Sequence, residues 1–155
     1  MVGMYFVVDS PIGRLGVTLD GETVVGVRFG APPGASGAHP VTNELISYFA
    51  GRLTTFSVPV EMRGGSDFER AVWAEIAKIR YGEMQTYGEI ATVLGDPGLA
   101  RAVGTACHHN PVPVIVPCHR VVGAGGKMVG FGGGIERKRK LLELEARVAL
   151  ERAWG

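Results

Sequence analysis

Cys118 and His119, side by side in the run Asn110-Pro111-Val112-Pro113-Val114-Ile115-Val116-Pro117-Cys118-His119-Arg120-Val121-Val122, are the residues of this chain best suited to covalent chemistry. A free thiol has a pKa of about 8.5 and is mostly protonated at neutral pH, so a cysteine that attacks carbon needs a base or a stabilising neighbour. Pro111, Pro113 and Pro117 each fix their own φ and push the preceding residue toward extended geometry. The segment is therefore expected to present the thiol stiffly and in strand-like form. Neighbours on an extended segment point to opposite sides, which argues against direct contact between the Cys118 thiol and the His119 ring.

Glu145 is the carboxylate best placed for chemical coupling, because it sits on an apolar stripe: four after Leu141, three after Leu142, three before Val148 and four before Ala149. A carboxylate there must find a partner or lose its charge, whereas Glu143 falls on the opposite, solvated face. Tyr87 carries a phenol that can donate a hydrogen bond from the first turn of a helix. Asn110 can tie the end of one helix to the nucleophile segment, and Arg120 is expected to pair with a carboxylate. The loop Gly130-Phe131-Gly132-Gly133-Gly134 is Gly-rich but lacks the Lys-Ser/Thr ending of a phosphate-binding P-loop. Cys107, His108, His109, Cys118 and His119 invite a zinc reading, yet neither Cys-x-x-Cys nor His-x-x-x-His spacing is present. No metal is expected.

These residues need helices to position them. Ser66-Asp67-Phe68-Glu69 is a capping box, and the helix behind it buries Val72, Trp73, Ile76 and Ile79 before ending near Tyr81-Gly82. A second box, Thr86-Tyr87-Gly88-Glu89, opens a helix that stops at Gly95. The turn Asp96-Pro97-Gly98 leads to a third helix over about Leu99 to His108, and the pair reads as a helix-turn-helix. On the third helix Leu99, Val103, Ala106 and Cys107 face inward, leaving Ala100, Arg101, Gly104, Thr105 and His108 nearer solvent. That outer face is small, which suits close approach to a narrow groove better than base-specific reading. The last helix begins near Ile135.

The Asn-Pro and Pro-Cys-His-Arg-Val motifs resemble the nucleophile segment of the O6-alkylguanine-DNA alkyltransferases, and the likeness runs at matching spacing from Phe68 to Glu145. The resemblance implies direct-reversal repair: an alkyl group moves irreversibly from O6-alkylguanine in double-stranded DNA to Cys118, after base flipping through the helix-turn-helix. It implies that a water links Cys118 to His119, that Glu145 holds the other nitrogen of His119, and that Tyr87 donates to the guanine. It implies that Arg101 fills the gap left by the extruded nucleotide, with Ala100, Gly104, Thr105, Thr86 and Gly88 at the DNA. Pro113, Val121, Phe131 and Gly132 would line the base pocket, with Phe131 where tyrosine is frequent and Gly132 where some relatives have serine. No cofactor is implied, and O4-alkylthymine is left open as a second lesion. The alternative is a regulatory or lesion-binding helix-turn-helix module without transfer, although relatives of that kind lack the cysteine.

The first half offers no catalytic constellation. Met4 to Asp9, Leu15 to Leu19 and Val24 to Phe29 read as strands, with a hairpin at Asp20-Gly21. A Gly- and Pro-rich loop follows over residues 30–39, then a short helix from Thr42 to Ala50 and a last strand near Phe56 to Val60. The expected fold class is α+β: a small antiparallel sheet domain with a helix, ribonuclease H-like by resemblance, over residues 1–62, and a helical, winged helix-turn-helix-like domain over residues 66–155.

With 155 residues, 46% of them hydrophobic, the chain can bury a core. Its formal charge of +1, from 16 basic and 15 acidic side chains, excludes the broad basic surface that drives non-specific nucleic-acid binding. Two cysteines without framework spacing suit a reducing compartment. No apolar run approaches a membrane span, and no signal-peptide order is present. The expectation is a soluble, cytoplasmic monomer, associated with the nucleoid when on DNA.

Overall fold

The computed structural model describes residues 3–128 and 131–154, which form two compact units. The first runs to Arg63 and also takes in Pro111–Ile115; the second is Gly64–Asn110 with the chain from Val116 onward.

In the first unit, β1 (Met4–Val8), β2 (Leu15–Asp20) and β3 (Thr23–Phe29) form an antiparallel sheet in the order β1-β2-β3. Leu15, Val17 and Leu19 alternate onto one fully buried face, as period-two patterning requires. Pairing changes from Thr18 opposite Gly26 to Leu19 opposite Val24, so Val25 bulges out of the ladder. Helix α1 (Pro40–Phe49) packs against β1 and buries Val41, Leu45 and Tyr48. It starts two residues earlier than the expected Thr42, because His39 supplies the cap and Pro40 has the φ a first helical residue needs.

The strand expected near Phe56 to Val60 does not form. Glu44 of α1 accepts the backbone N–H of Ser57 at 3.0 Å and of Val58 at 3.1 Å, and Pro59 has no N–H to give. Only an isolated parallel bridge between Val24 and Val60 remains. Pro111–Ile115 joins this unit through the Val27 N–H, which donates to the Pro111 carbonyl at 2.9 Å.

The second unit is mostly helical. Both capping boxes are present: Ser66 with Glu69 opens α2 (Asp67–Ile76), and Thr86 with Glu89 opens α3 (Tyr87–Val93). Helix α2 ends five residues short of Tyr81. From Lys78 the backbone bonds tighten to the third residue back, and the Ile79 carbonyl accepts Arg120 Nη1 at 2.7 Å instead of continuing a helix. Gly82 follows at φ +80°, and a Cβ there would stand 3.0 Å from the Ala149 Cβ. A single turn at Pro97–Leu99 leads into α4 (Ala100–His108), which with α3 makes the helix-turn-helix. Trp73 on α2 donates its indole N–H to the Ala106 carbonyl of α4 at 2.8 Å, pinning the two helices inside the core. Burial of Val72, Ile76, Ile90, Val103 and Leu141 contributes about 1.5–3 kcal/mol each.

The strand-like geometry expected at Cys118 is also corrected. Cys118–Arg120 is one turn of 3-10 helix, followed by β5 (Val121–Val122), which pairs in parallel with β4 (Gln85–Thr86). With Pro117 ahead, the Cys118 N–H turns back to the Val116 carbonyl at 2.9 Å and the Arg120 N–H to Pro117 at 2.9 Å. Neighbours on such a turn diverge by about 120°, not 180°. The chain ends in α5 (Ile135–Trp154), which buries Lys138, Leu141, Glu145 and Val148 along one stripe. No helix among the described residues is long and apolar enough to cross a membrane.

Candidate active site and nucleic-acid interface

The short turn at Cys118–Arg120 buries three polar side chains at once, Cys118, His119 and Arg120, and each finds a different environment. Asn110, two residues past α4, holds the sulfur: its Nδ2 donates to the Val116 carbonyl at 2.9 Å and stands 3.1 Å from Cys118 Sγ. Burial pushes the Cys118 thiol well above its ordinary pKa and the neighbouring Cys107 thiol adds to this, while Asn110 and the Lys138 ammonium pull it back. At rest the sulfur is therefore protonated, and it becomes a nucleophile only when a base removes that proton.

His119 is fully buried, with Nε2 2.7 Å from Glu145 Oε2. Glu145 is also held by Arg120, Nε to Oε1 at 2.8 Å and Nη2 to Oε2 at 3.0 Å, and by the Gly82 N–H at 3.3 Å. Burial alone would raise the Glu145 carboxyl, but hydrogen bonds and charge from His119 and Arg120 outweigh it and hold the group well below the usual carboxylate range. An ionised carboxylate only accepts, so Nε2 of His119 carries the ring proton. Burial lowers the His119 pKa against the pull of Glu145, which keeps the ring neutral. Nδ1 is then a bare lone pair, buried and without a hydrogen-bond partner among the described residues.

Tyr87, the first residue of α3, is buried, and burial raises its phenol pKa. Its oxygen accepts Lys138 Nζ at 3.2 Å, and the same ammonium donates to the Val121 carbonyl. Lys138 joins the site from the structure, and its signal in the sequence is its place on the Leu141, Glu145 and Val148 stripe, seven residues before Glu145. Burial lowers its pKa, and charge on either cysteine would raise it. Arg120 meets the expected carboxylate, and that carboxylate is the same Glu145 that holds His119.

The expected DNA face is laid out on α3 and α4. Arg101 and Thr105 are exposed, Ala100 and Gly104 half-buried, and Arg101 makes no ion pair among the described residues. Gly104 faces the Tyr87 ring, where a Cβ would stand 3.9 Å away, so the two helices approach closely. Thr86 caps α3 with its side chain, and the Gly88 carbonyl accepts the Thr92 hydroxyl at 2.8 Å.

Of the expected pocket residues, Val121 and Phe131 are buried in the second unit. Gly132 is exposed, and a Cβ there would come 2.9 Å from the His108 carbonyl, so the position has no room for serine without a shift. Gly130 lies outside the described residues. Pro113 belongs to the segment that packs with the first unit. Among the described residues no group of three or more His, Cys, Asp or Glu could hold a metal ion.

As a class, this is a two-unit α+β protein whose second unit joins a helix-turn-helix to a buried, hydrogen-bonded cysteine. The family model for the DNA-binding domain of 6-O-methylguanine DNA methyltransferase matches residues 67–147. The methylated-DNA–protein-cysteine methyltransferase of Mycobacterium tuberculosis H37Rv is 49% identical over 154 residues, covering 91% of each chain. The crystal structure of Mycobacterium tuberculosis OGT in complex with DNA superposes with a TM-score of 0.84 at 46% identity, covering 93% of each chain. The O6-methylguanine-DNA methyltransferase of the hyperthermophilic archaeon Pyrococcus kodakaraensis KOD1 gives a TM-score of 0.73 at 27% identity, covering 92% of this chain and 99% of that one. The chain belongs to the methylated-DNA–protein-cysteine methyltransferase family.

Proposed function

We propose that this protein repairs DNA by direct reversal, moving the alkyl group of O6-alkylguanine in duplex DNA onto Cys118 in one irreversible turnover. The observation that carries the reading is the pairing of two features: Cys118 Sγ stands 3.1 Å from the Asn110 amide, and the adjacent His119 is neutral with a buried Nδ1 that has no hydrogen-bond partner among the described residues. A water between that nitrogen and the sulfur passes the thiol proton to His119, while Glu145 steadies the imidazolium that results. The thiolate then attacks the alkyl carbon in line. A sulfur–carbon bond forms as the bond from carbon to O6 breaks, and the electron pair leaves with the guanine.

Tyr87 donates a hydrogen bond to the departing base and spreads the charge that develops there, and Lys138 behind the phenol oxygen strengthens that donor. The base reaches the sulfur only after leaving the stack, at a cost of a few kcal/mol. Arg101 on the outer face of α4 fills the space it vacates. The small side chains Ala100 and Gly104 bring the helix close to the groove, with Thr105, Thr86 and Gly88 beside it. Phe131 and the backbone at Gly132 close over the flipped base beside Val121. The product is a thioether, which water does not cleave, so each monomer acts once.

The test is incubation with a duplex containing O6-methylguanine, followed by peptide mass mapping. One methyl group is expected on the Cys118 peptide, matched by loss of the lesion, and neither is expected for Cys118→Ser. Removal of the lesion by Cys118→Ser would overturn the reading.

A further inference from the structure

The chain that runs from α4 to Cys118 contains a residue with no part in the reaction above. Val114 has φ +72°, and among the described residues it is the only non-glycine residue in the left-handed region. A valine is poorly suited to that region, because its branched Cβ crowds the backbone, whereas glycine would enter it without steric cost. The side chain is nonetheless only 1% exposed, and Val112 is fully buried, in the segment Pro111–Ile115 that packs with the first unit. The same segment is tied by the Val27 N–H, which donates to the Pro111 carbonyl at 2.9 Å. A backbone strained in this way lasts only where its surroundings hold it, and such residues gather at functional sites.

What Val114 serves follows from the loop around it. Asn110 Nδ2 donates to the Val116 carbonyl at 2.9 Å and so closes the loop at its neck, and the Cys118 N–H turns back to the same carbonyl at 2.9 Å. Between these ends Pro111 and Pro113 have φ fixed at about −65°. The reversal that closure demands therefore falls on the turn over residues 113–115, where Val114 takes it. Pro117 fixes one further torsion, which leaves little slack between Val114 and Cys118. A change at Val114 would move the Val116 carbonyl, and with it the Asn110 amide that stands 3.1 Å from Cys118 Sγ.

We propose that Val114 is a positioning residue for alkyl transfer: its left-handed backbone, held by the buried branched side chain, puts the Val116 carbonyl where it orients the Asn110 amide and starts the Cys118 turn. The proposal rests on Cys118 being the alkyl acceptor. Glycine would relieve the strain but leave the turn free to open. Alanine would keep the steric cost and lose the side chain that holds the turn, so the residue would return to negative φ.

The full-length protein is compared with Val114→Gly, Val114→Ala, Val114→Ile and Val114→Thr, each studied below its melting temperature. The readouts are duplex affinity, the single-turnover transfer rate on O6-methylguanine duplex and the pH profile of iodoacetamide labelling at Cys118. Val114→Gly and Val114→Ala are expected to bind the duplex as before but to transfer roughly tenfold to a hundredfold more slowly, the scale of a misplacement of about 1 Å. Their labelling at Cys118 should move to higher pH, because the Asn110 amide no longer meets the sulfur. Only glycine relieves the strain, so Val114→Gly should melt no lower than Val114→Ala, the reverse of the usual order inside helices and strands. Val114→Ile and Val114→Thr keep the branch at Cβ and should restore both rate and profile, even where an added methylene or a buried hydroxyl lowers the melting temperature. The proposal is overturned if the two small variants transfer at the unmodified rate with an unmoved profile, or if Val114→Gly melts below Val114→Ala. It is overturned equally if transfer rates simply follow melting temperatures, a criterion that Val114→Ile and Val114→Thr supply alone should a small variant not fold. Labelling needs no DNA, so a moved profile in a protein that never accepts a methyl group would defeat the functional reading and leave Val114 as the residue that places the sulfur.

Discussion

Arg120 and Glu145 meet in the interior of the second unit as a two-pronged ion pair, with N–O distances of 2.8 and 3.0 Å and Glu145 only 1% exposed. Removing two such charges from water costs several kcal/mol per ion, and only full hydrogen bonding offsets it. Here every prong is used: the remaining guanidinium nitrogen donates to the Ile79 carbonyl, and Glu145 also takes the His119 ring proton and the Gly82 N–H. The pair therefore fixes both the charge of the carboxylate and the tautomer of the histidine.

Breaking one side of the pair is expected to be more damaging than removing both. Glu145→Gln leaves a buried guanidinium without its counter-charge, a loss of about 3–5 kcal/mol measurable by urea unfolding. The double replacement Arg120→Met with Glu145→Leu should recover much of that stability but not the alkyl-transfer rate, because His119 would have lost the acceptor that orients it. A double variant with the unmodified rate would contradict this account of Glu145.

Asn110→Ala removes the amide that steadies the Cys118 thiolate and the link to the Val116 carbonyl. A hydrogen bond to a charged group is worth about 1.5–3 kcal/mol, so the transfer rate should fall roughly tenfold to a hundredfold. The pH dependence of iodoacetamide labelling at Cys118 should move to higher pH. A slower rate with an unmoved profile would mean that Asn110 only shapes the loop.

Lys138→Met keeps the aliphatic stem but takes the donor from Tyr87 and from the Val121 carbonyl. Leaving that carbonyl unsatisfied costs about 1–3 kcal/mol. The single-turnover rate on O6-methylguanine duplex should drop as well, since charge developing on Tyr87 is no longer offset. Stability lost at an unchanged rate would restrict Lys138 to a structural role.

The pH dependence of stability follows from the direction of each shift. His119 and Glu145 both sit below their ordinary values of 6.5 and 4.5, so on acidification the unfolded chain binds protons first and the fold weakens, from His119 initially and then from Glu145. Cys118 sits above its ordinary 9.0, so at higher pH the folded chain retains a proton that the unfolded chain loses, and stability falls again. Thermal melts across this range should trace a dome. In Cys118→Ser the alkaline limb should be shallower, and an unchanged limb would remove the thiol from the explanation.

Alkylation itself should destabilise the protein. Cys118 is 1% exposed and its sulfur stands 3.1 Å from the Asn110 amide, so an added methyl group overfills the site at a cost of about 1–3 kcal/mol. The melting temperature after reaction with methylated duplex should be lower than before it, and a rise would contradict the packing argument.

Much of this was legible in order along the chain. The Ser66–Glu69 and Thr86–Glu89 capping boxes, the apolar stripe that turned Glu145 inward and the hairpin at Asp20-Gly21 are read from residues at most a few positions apart, where backbone geometry alone decides what touches what. Local rules failed where a distant group captured the backbone. The strand near Phe56 to Val60 gave way to the Glu44 carboxylate, α2 stopped early where Arg120 took the Ile79 carbonyl, and the expected extended nucleophile segment became a tight turn around the Asn110 amide.

By itself, then, the sequence determined which helix faces are buried and pointed to the side chains proposed to carry the chemistry. Only the tertiary structure decided that Arg120 and His119 share one carboxylate, that Lys138 backs Tyr87, and that the Asn110 amide meets the Cys118 sulfur. Such partners lie up to 51 residues apart, as with Lys138 and Tyr87, and their meeting depends on how whole helices pack, which no local periodicity encodes.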